Sequence, residues 1–212
     1  MKDVKLKICG MREKDNILQI AALHPDYMGF IFYEKSPRYV GEEFEIPAGF
    51  SSEIEKVGVF VNASNEVMVV KAKRYGLDYL QLHGHESVEQ VAALKQLGLK
   101  VIKVFSVDEN FDFTATIPYQ DHVSFFLFDT KGKYYGGNAT VFDWRCLQRY
   151  NQQVPFFLSG GLSPENVTGI SDLQGMNIHA LDVNSGVELS PGLKDADKIN
   201  SLKKVLESLT IQ

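Results

Sequence analysis

Six clusters of small, polar or ionisable residues punctuate this sequence, each downstream of an apolar run: Cys9-Gly10, Ser36-Pro37-Arg38, His83-Gly84, Asp129-Thr130, Ser159-Gly160-Gly161 and Asn184-Ser185-Gly186. A thiol and a carboxyl can exchange protons with a bound ligand, and the planar fork of Arg38 can grip a carboxylate by both oxygens. Glycines at 160, 161 and 186, with Ser185, would let backbone N–H groups approach a phosphate closely. Each cluster alone has a plainer reading. A cysteine at a strand end is commonly a small buried hydrophobe, an aspartate there caps or turns the chain, and glycine pairs are turns. Arg38 alone reads as a solvated charge and His83 as a structural histidine. Their recurrence at matching points along the chain is what sets them apart.

Those points are set by eight β-branched or aromatic runs: Leu6 to Cys9, Met28 to Phe32, Val57 to Val61, Tyr79 to Leu82, Val101 to Phe105, Phe125 to Phe128, Phe156 to Ser159 and Ala180 to Val183. Their ends lie about 25 residues apart on average, room for one helix and two loops. Ser87 with Gln90 forms a capping-box pattern ahead of a helix that Gly98 stops. Ser163-Pro164 predicts another helix start, and Ile199, Leu202, Val205, Leu206 and Leu209 form an apolar stripe. The runs lack clean polar alternation, as expected of parallel strands covered on both faces. An open doubly wound sheet would use about five strands and a Gly-x-Gly-x-x-Gly turn after the first, which is missing. The pattern therefore predicts an α/β fold, a single-domain (β/α)8 TIM barrel over residues 1–212, with its active site at the carboxyl ends of the strands and phosphate held after strands seven and eight.

Composition narrows the partners. The 212 residues carry 22 basic and 27 acidic side chains, a net charge of −5, and 44% are hydrophobic, which fits an ordinary globular chain and argues against disorder. That charge disfavours a general electrostatic grip on nucleic acid or an anionic membrane, so an anionic ligand must be held locally. The start of the chain lacks a secretory signal pattern, and apolar stretches such as Val123 to Phe128 fall far short of the roughly 18 to 20 residues that span a bilayer. A cytoplasmic location is the expectation. The two cysteines, Cys9 and Cys146, lack metal-ligand spacing, and Cys146 reads as packing.

Together these residues resemble the phosphoribosylanthranilate isomerases, barrel enzymes of tryptophan biosynthesis, over nearly the whole chain. Lys7-Ile8-Cys9-Gly10 is similar to the family's opening strand. Gly29-Phe30-Ile31-Phe32-Tyr33 with Ser36-Pro37-Arg38, Val57-Gly58-Val59-Phe60-Val61-Asn62 and Gln81-Leu82-His83-Gly84 follow in the family's order. So do Phe128-Asp129-Thr130, Leu158-Ser159-Gly160-Gly161-Leu162 and Asp182-Val183-Asn184-Ser185-Gly186-Val187-Glu188.

The resemblance implies an Amadori rearrangement of the small phosphorylated substrate N-(5'-phosphoribosyl)anthranilate to 1-(2-carboxyphenylamino)-1-deoxyribulose 5-phosphate. It implies no metal or organic cofactor; the charge balance predicts no nucleic-acid or membrane partner, and a monomer or homodimer is expected. By the same resemblance Asp129 is the general acid, Cys9 the general base and Arg38 the partner of the anthranilate carboxylate. Gly160, Gly161, Ser185, Gly186 and Asp182 complete the substrate site. A thiol base calls for nearby positive potential, and an acid at position 129 calls for burial or a negative neighbour, for which Asp182 is the candidate.

One stretch departs from the family: in Gly136-Gly137-Asn138-Ala139-Thr140-Val141-Phe142 the third glycine is replaced by Ala139, whose Cβ would stiffen the loop. Two rival readings stand beside the isomerase. A histidine-pathway isomerase would use paired aspartates, against which Cys9 and Arg38 speak, and a non-catalytic phosphate-binding barrel has the altered loop as its support.

Overall fold

In a computed structural model of the protein, which describes residues 4–130 and 144–210, eight parallel strands close into a barrel in chain order. They are β1 (Lys5–Ile8), β2 (Tyr27–Ile31), β3 (Glu55–Phe60), β4 (Tyr79–Leu82), β5 (Lys100–Val107), β6 (Phe125–Thr130), β7 (Phe156–Ser159) and β8 (Ile178–Val183). Each coincides with one of the eight expected runs, with ends displaced by at most two residues. β8 returns to pair with β1, Lys7 opposite Asp182, and this pairing closes the sheet.

Strand alternation divides the side chains between two cores. One parity, including Tyr27, Val57, Tyr79, Ile102, Leu127, Phe157 and Ala180, fills the barrel interior. The other, including Ile8, Phe30, Phe126, Phe128, Phe156 and Leu158, packs outward under the surrounding helices. Burial on both faces is why the runs show no polar alternation. On the inward parity, positions near the carboxyl ends hold polar groups instead: Lys7, Gln81, His83, Ser106, Asp129 and Asp182.

The covering layer is less regular than the spacing suggests. Helices α1 (Lys14–Ala21), α2 (Asn65–Tyr75), α3 (Val88–Gln96) and α4 (Ala196–Thr210) are α-helical. Ser87 caps α3 by accepting from the Gln90 N–H, as its pattern predicts, and Ile199 and Leu202 of the α4 stripe are fully buried. Between β5 and β8 the connections are 3-10 helices: Phe113–His122, Trp144–Arg149 and Val167–Leu173. The first contains Pro118 and several β-branched residues, which weaken an α-helix. No α-helix starts at Ser163-Pro164. There the Asn166 side chain accepts from the Ser163 N–H and donates to the Gly161 carbonyl, wrapping the chain into a turn before the 3-10 segment begins. Cys146 lies in the second 3-10 segment, half-buried against the outer core. A short antiparallel hairpin, β9 (Glu188–Ser190) with β10 (Leu193–Lys194), was not foreseen and follows the loop after β8.

Candidate active site

Cys9 directly follows β1, and its N–H donates to the Val183 carbonyl of β8. Its side chain is buried against Ile31 and Val59. Gly29 makes room for the sulfur, since a Cβ there would sit 2.7 Å from Sγ. Gly10, at φ +76°, turns the chain out of the barrel, and a Cβ on it would lie 2.8 Å from Arg38 Cδ. The arginine stem therefore crosses over the residue next to the thiol.

Two residues before Cys9, on the same strand face, Lys7 is fully buried. Its Nζ donates to Asp182 Oδ1 at 2.8 Å and to Gln81 Oε1 at 2.7 Å. Burial alone would lower the lysine, but the charges of Asp182 and Cys9 more than offset it and hold the ammonium above its ordinary value. Burial pushes the Cys9 thiol up. Lys7 opposes this, as does Lys194, while Asp182 adds to it, and the resting thiol stays above its usual range.

Asp129 emerges inward from β6 and faces His83, with Nε2 3.5 Å from Oδ2. The Asp182 carboxylate is held by Lys7. Gln81 Nε2 lies 3.5 Å from His83 Nδ1, so polar side chains run across the barrel mouth from Lys7 through Gln81 and His83 to Asp129. The loop carrying His83 is anchored by Glu86, which accepts from the Asn62 and Gly84 N–H groups and from Lys103 Nζ at 2.9 Å. A cavity of about 490 Å³ opens here, bounded by His83, His85, Lys103, Ser106 and Tyr119.

Arg38 forms a two-pronged ion pair with Glu188, Nε to Oε1 at 2.8 Å and Nη2 to Oε2 at 2.6 Å. The Glu188 interaction, chiefly its hydrogen bonds, holds the guanidinium above its ordinary value even though burial works against it. Gly160 and Gly161 both adopt positive φ, 108° and 68°, and Ser185 and Gly186 open a single 3-10 turn, Ser185–Val187. A Cβ on Gly186 would lie 2.0 Å from the Leu162 carbonyl oxygen, so the loops after β7 and β8 meet backbone to side-chainless backbone. The loop 136–142, including Ala139, lies outside the described residues.

The site thus brings Cys9 and Arg38 together at one end of the barrel, with Asp129 at the carboxyl end of β6 and the paired loops after β7 and β8 on the same rim. Sequence reasoning missed Lys7, Gln81, Glu188 and Lys194 as working parts of it. For Lys7 there was a signal: a lysine two positions before Cys9 in a strand whose other residues are mostly apolar. Among the described residues, no group of three or more His, Cys, Asp and Glu side chains is placed to hold a metal ion.

Comparison with known proteins points in one direction. The profile of the family described as N-(5'phosphoribosyl)anthranilate (PRA) isomerase matches residues 6–205. A Parabacteroides distasonis protein named N-(5'-phosphoribosyl)anthranilate isomerase is 46% identical over 205 residues, covering 95% of this chain and 93% of that one. The crystal structure of phosphoribosyl anthranilate isomerase from Thermotoga maritima is similar at a TM-score of 0.85 and 35% identity, covering 97% of this chain and 99% of that chain. A phosphoribosyl anthranilate isomerase in complex with reduced 1-(o-carboxyphenylamino)-1-deoxyribulose 5-phosphate is similar at a TM-score of 0.79 and 32% identity, covering 97% and 99%.

Proposed function

The chain belongs to the N-(5'-phosphoribosyl)anthranilate isomerase family, isomerases of tryptophan biosynthesis, and from that premise we propose that Cys9, Asp129 and Arg38 carry its Amadori rearrangement. The observation that carries this reading is the convergence of a buried thiol, an inward carboxyl and an arginine fork on one barrel rim, with a buried ammonium behind the thiol.

The proposed roles are those the family resemblance implies for an Amadori rearrangement. Asp129 donates its proton to the ribose ring oxygen as the bond from that oxygen to C1 breaks, and the nitrogen lone pair forms the C1–N iminium. The cation acidifies the proton on C2, which the Cys9 sulfur removes, and the electron pair becomes the C1–C2 double bond of an enaminol. Tautomerisation to the ketone completes an isomerisation in which no atom is gained or lost. The base is the Cys9 thiolate: burial holds the resting thiol above its usual range, and the positive charge of the iminium, alongside Lys7 and Lys194, favours loss of the S–H proton to solvent before the sulfur takes the C2 proton. Arg38 receives the ring carboxylate and fixes the aryl plane. The backbone at Gly160, Gly161, Ser185 and Gly186 receives the phosphate, and Asp182 acts on the substrate side through Lys7.

We read residues 1–212 as one barrel domain that needs no nucleic-acid or membrane partner and works in the cytoplasm. No helix among the described residues is long and apolar enough to cross a membrane. We read the protein as working as a monomer or a homodimer. The deciding experiment is turnover of freshly generated N-(5'-phosphoribosyl)anthranilate, followed by loss of its fluorescence with and without a chelator. Chelator-resistant turnover is the expected result, and absent turnover with retained binding of a product analogue would overturn the reading.

A further inference from the structure

A guanidinium has two edges that can hold a carboxylate, one formed by Nε with Nη2 and one by the two terminal nitrogens. In Arg38 the first edge is already filled: Nε and Nη2 donate to the two oxygens of Glu188. Glu188 is itself held from behind. Its Oε1 accepts from Lys194 Nζ at 2.6 Å and from the Gly192 N–H at 3.0 Å. Lys194 is fully buried and also donates to Asn184 Oδ1 at 2.7 Å, and its backbone N–H and carbonyl are both bonded by the Asn16 side chain of α1.

This cluster has two cations and one anion, so it carries one positive charge in excess, and it stands beside Cys9. A single bound carboxylate would neutralise it. Because Glu188 occupies the inner edge, that carboxylate must take the terminal edge, in the guanidinium plane that Glu188 dictates. We infer that Glu188 is a positioning and specificity residue, which clamps Arg38 so that its terminal edge selects substrates whose aryl ring bears a carboxylate. The inference rests on the carboxylate role proposed above for Arg38 and adds the element that orients it. Without the clamp, Arg38 would spread over several rotamers and bind the carboxylate less tightly.

The test uses two stable ligands, reduced 1-(o-carboxyphenylamino)-1-deoxyribulose 5-phosphate and its counterpart lacking the ring carboxylate, with dissociation constants measured for wild type, Arg38→Ala and Glu188→Gln. Glu188→Gln keeps the shape but removes the charge. It is expected to weaken the carboxylated ligand about tenfold while leaving the other within about twofold of wild type. Equal weakening of both ligands would reduce Glu188 to a fold-supporting role, and tighter binding of the carboxylated ligand would show Glu188 to be a competitor for the carboxylate. Either result overturns the clamp. Failure of the Arg38 reading itself looks different, because Arg38→Ala would then weaken both ligands alike. Should Glu188→Gln fail to fold, combining it with Lys194→Met removes the buried cation left unpaired, and the same selective loss is expected.

Discussion

Lys7 and Asp182 form a buried ion pair across the seam that closes the barrel, Nζ 2.8 Å from Oδ1, on the strand face that carries Cys9 two residues later. The pair places a cation and an anion near the same sulfur with opposite effects on it. Replacing each in turn should therefore move the Cys9 titration in opposite directions. Lys7→Met raises it and Asp182→Asn lowers it, read from the ultraviolet absorbance of the thiolate in a Cys146→Ser background. A support role alone would shift both the same way or neither, so parallel shifts would remove Lys7 from the activation of the thiol.

The reaction assigns separate steps to Cys9 and Asp129, and each acts on a proton in flight. Cys9→Ala and Asp129→Asn should each lower kcat by about 10²- to 10⁴-fold, which corresponds to roughly 3 to 5 kcal/mol of barrier, with binding of the product analogue largely kept. Near-normal kcat in either variant would cancel that residue's assignment.

Gly29 and Gly186 are small for different reasons, and the kinetics should tell them apart. A methyl at Gly29 would meet the Cys9 sulfur at 2.7 Å, whereas one at Gly186 would meet the Leu162 carbonyl oxygen at 2.0 Å. Gly29→Ala should displace the base and cut kcat about tenfold or more at nearly unchanged KM. Gly186→Ala should part the two loops assigned to the phosphate and raise KM, with about 1 to 3 kcal/mol lost in stability from overpacking. A KM effect at Gly29, or a pure kcat effect at Gly186, would contradict these placements.

The eight strands were legible because each is a short β-branched or aromatic run, and their spacing implied closure. The 3-10 segments were not, because low helix propensity around Pro118 and Gly169 becomes visible only where no α-helix forms. The rim residues Cys9, Arg38 and Asp129 could be read off strand ends, but their partners could not. Arg38 meets Glu188 across 150 positions, and Lys7 meets Asp182 across 175. Such pairs are created by barrel closure, and no local pattern encodes them. Asp182 shows the consequence: nothing in its local sequence points to Lys7, which the seam between β8 and β1 brings to it.

The Glu86–Lys103 pair supplies a test of what holds His83 in place. Burial works to raise the Glu86 carboxyl, but Lys103 and the N–H of Asn62 outweigh it, leaving it below its ordinary value. A carboxyl depressed in the folded state adds stability that is fully present above its unfolded value, near about 4.3, and is lost as pH falls through the folded value. Glu86→Gln should thus flatten the acid limb of the stability profile. At neutral pH it should cost about 3 to 5 kcal/mol, because Lys103 is left buried without its counter-charge. Urea unfolding across the acid range checks both parts. A variant whose stability runs parallel to wild type down to about pH 3 would show that Glu86 is not the titrating support of the His83 loop.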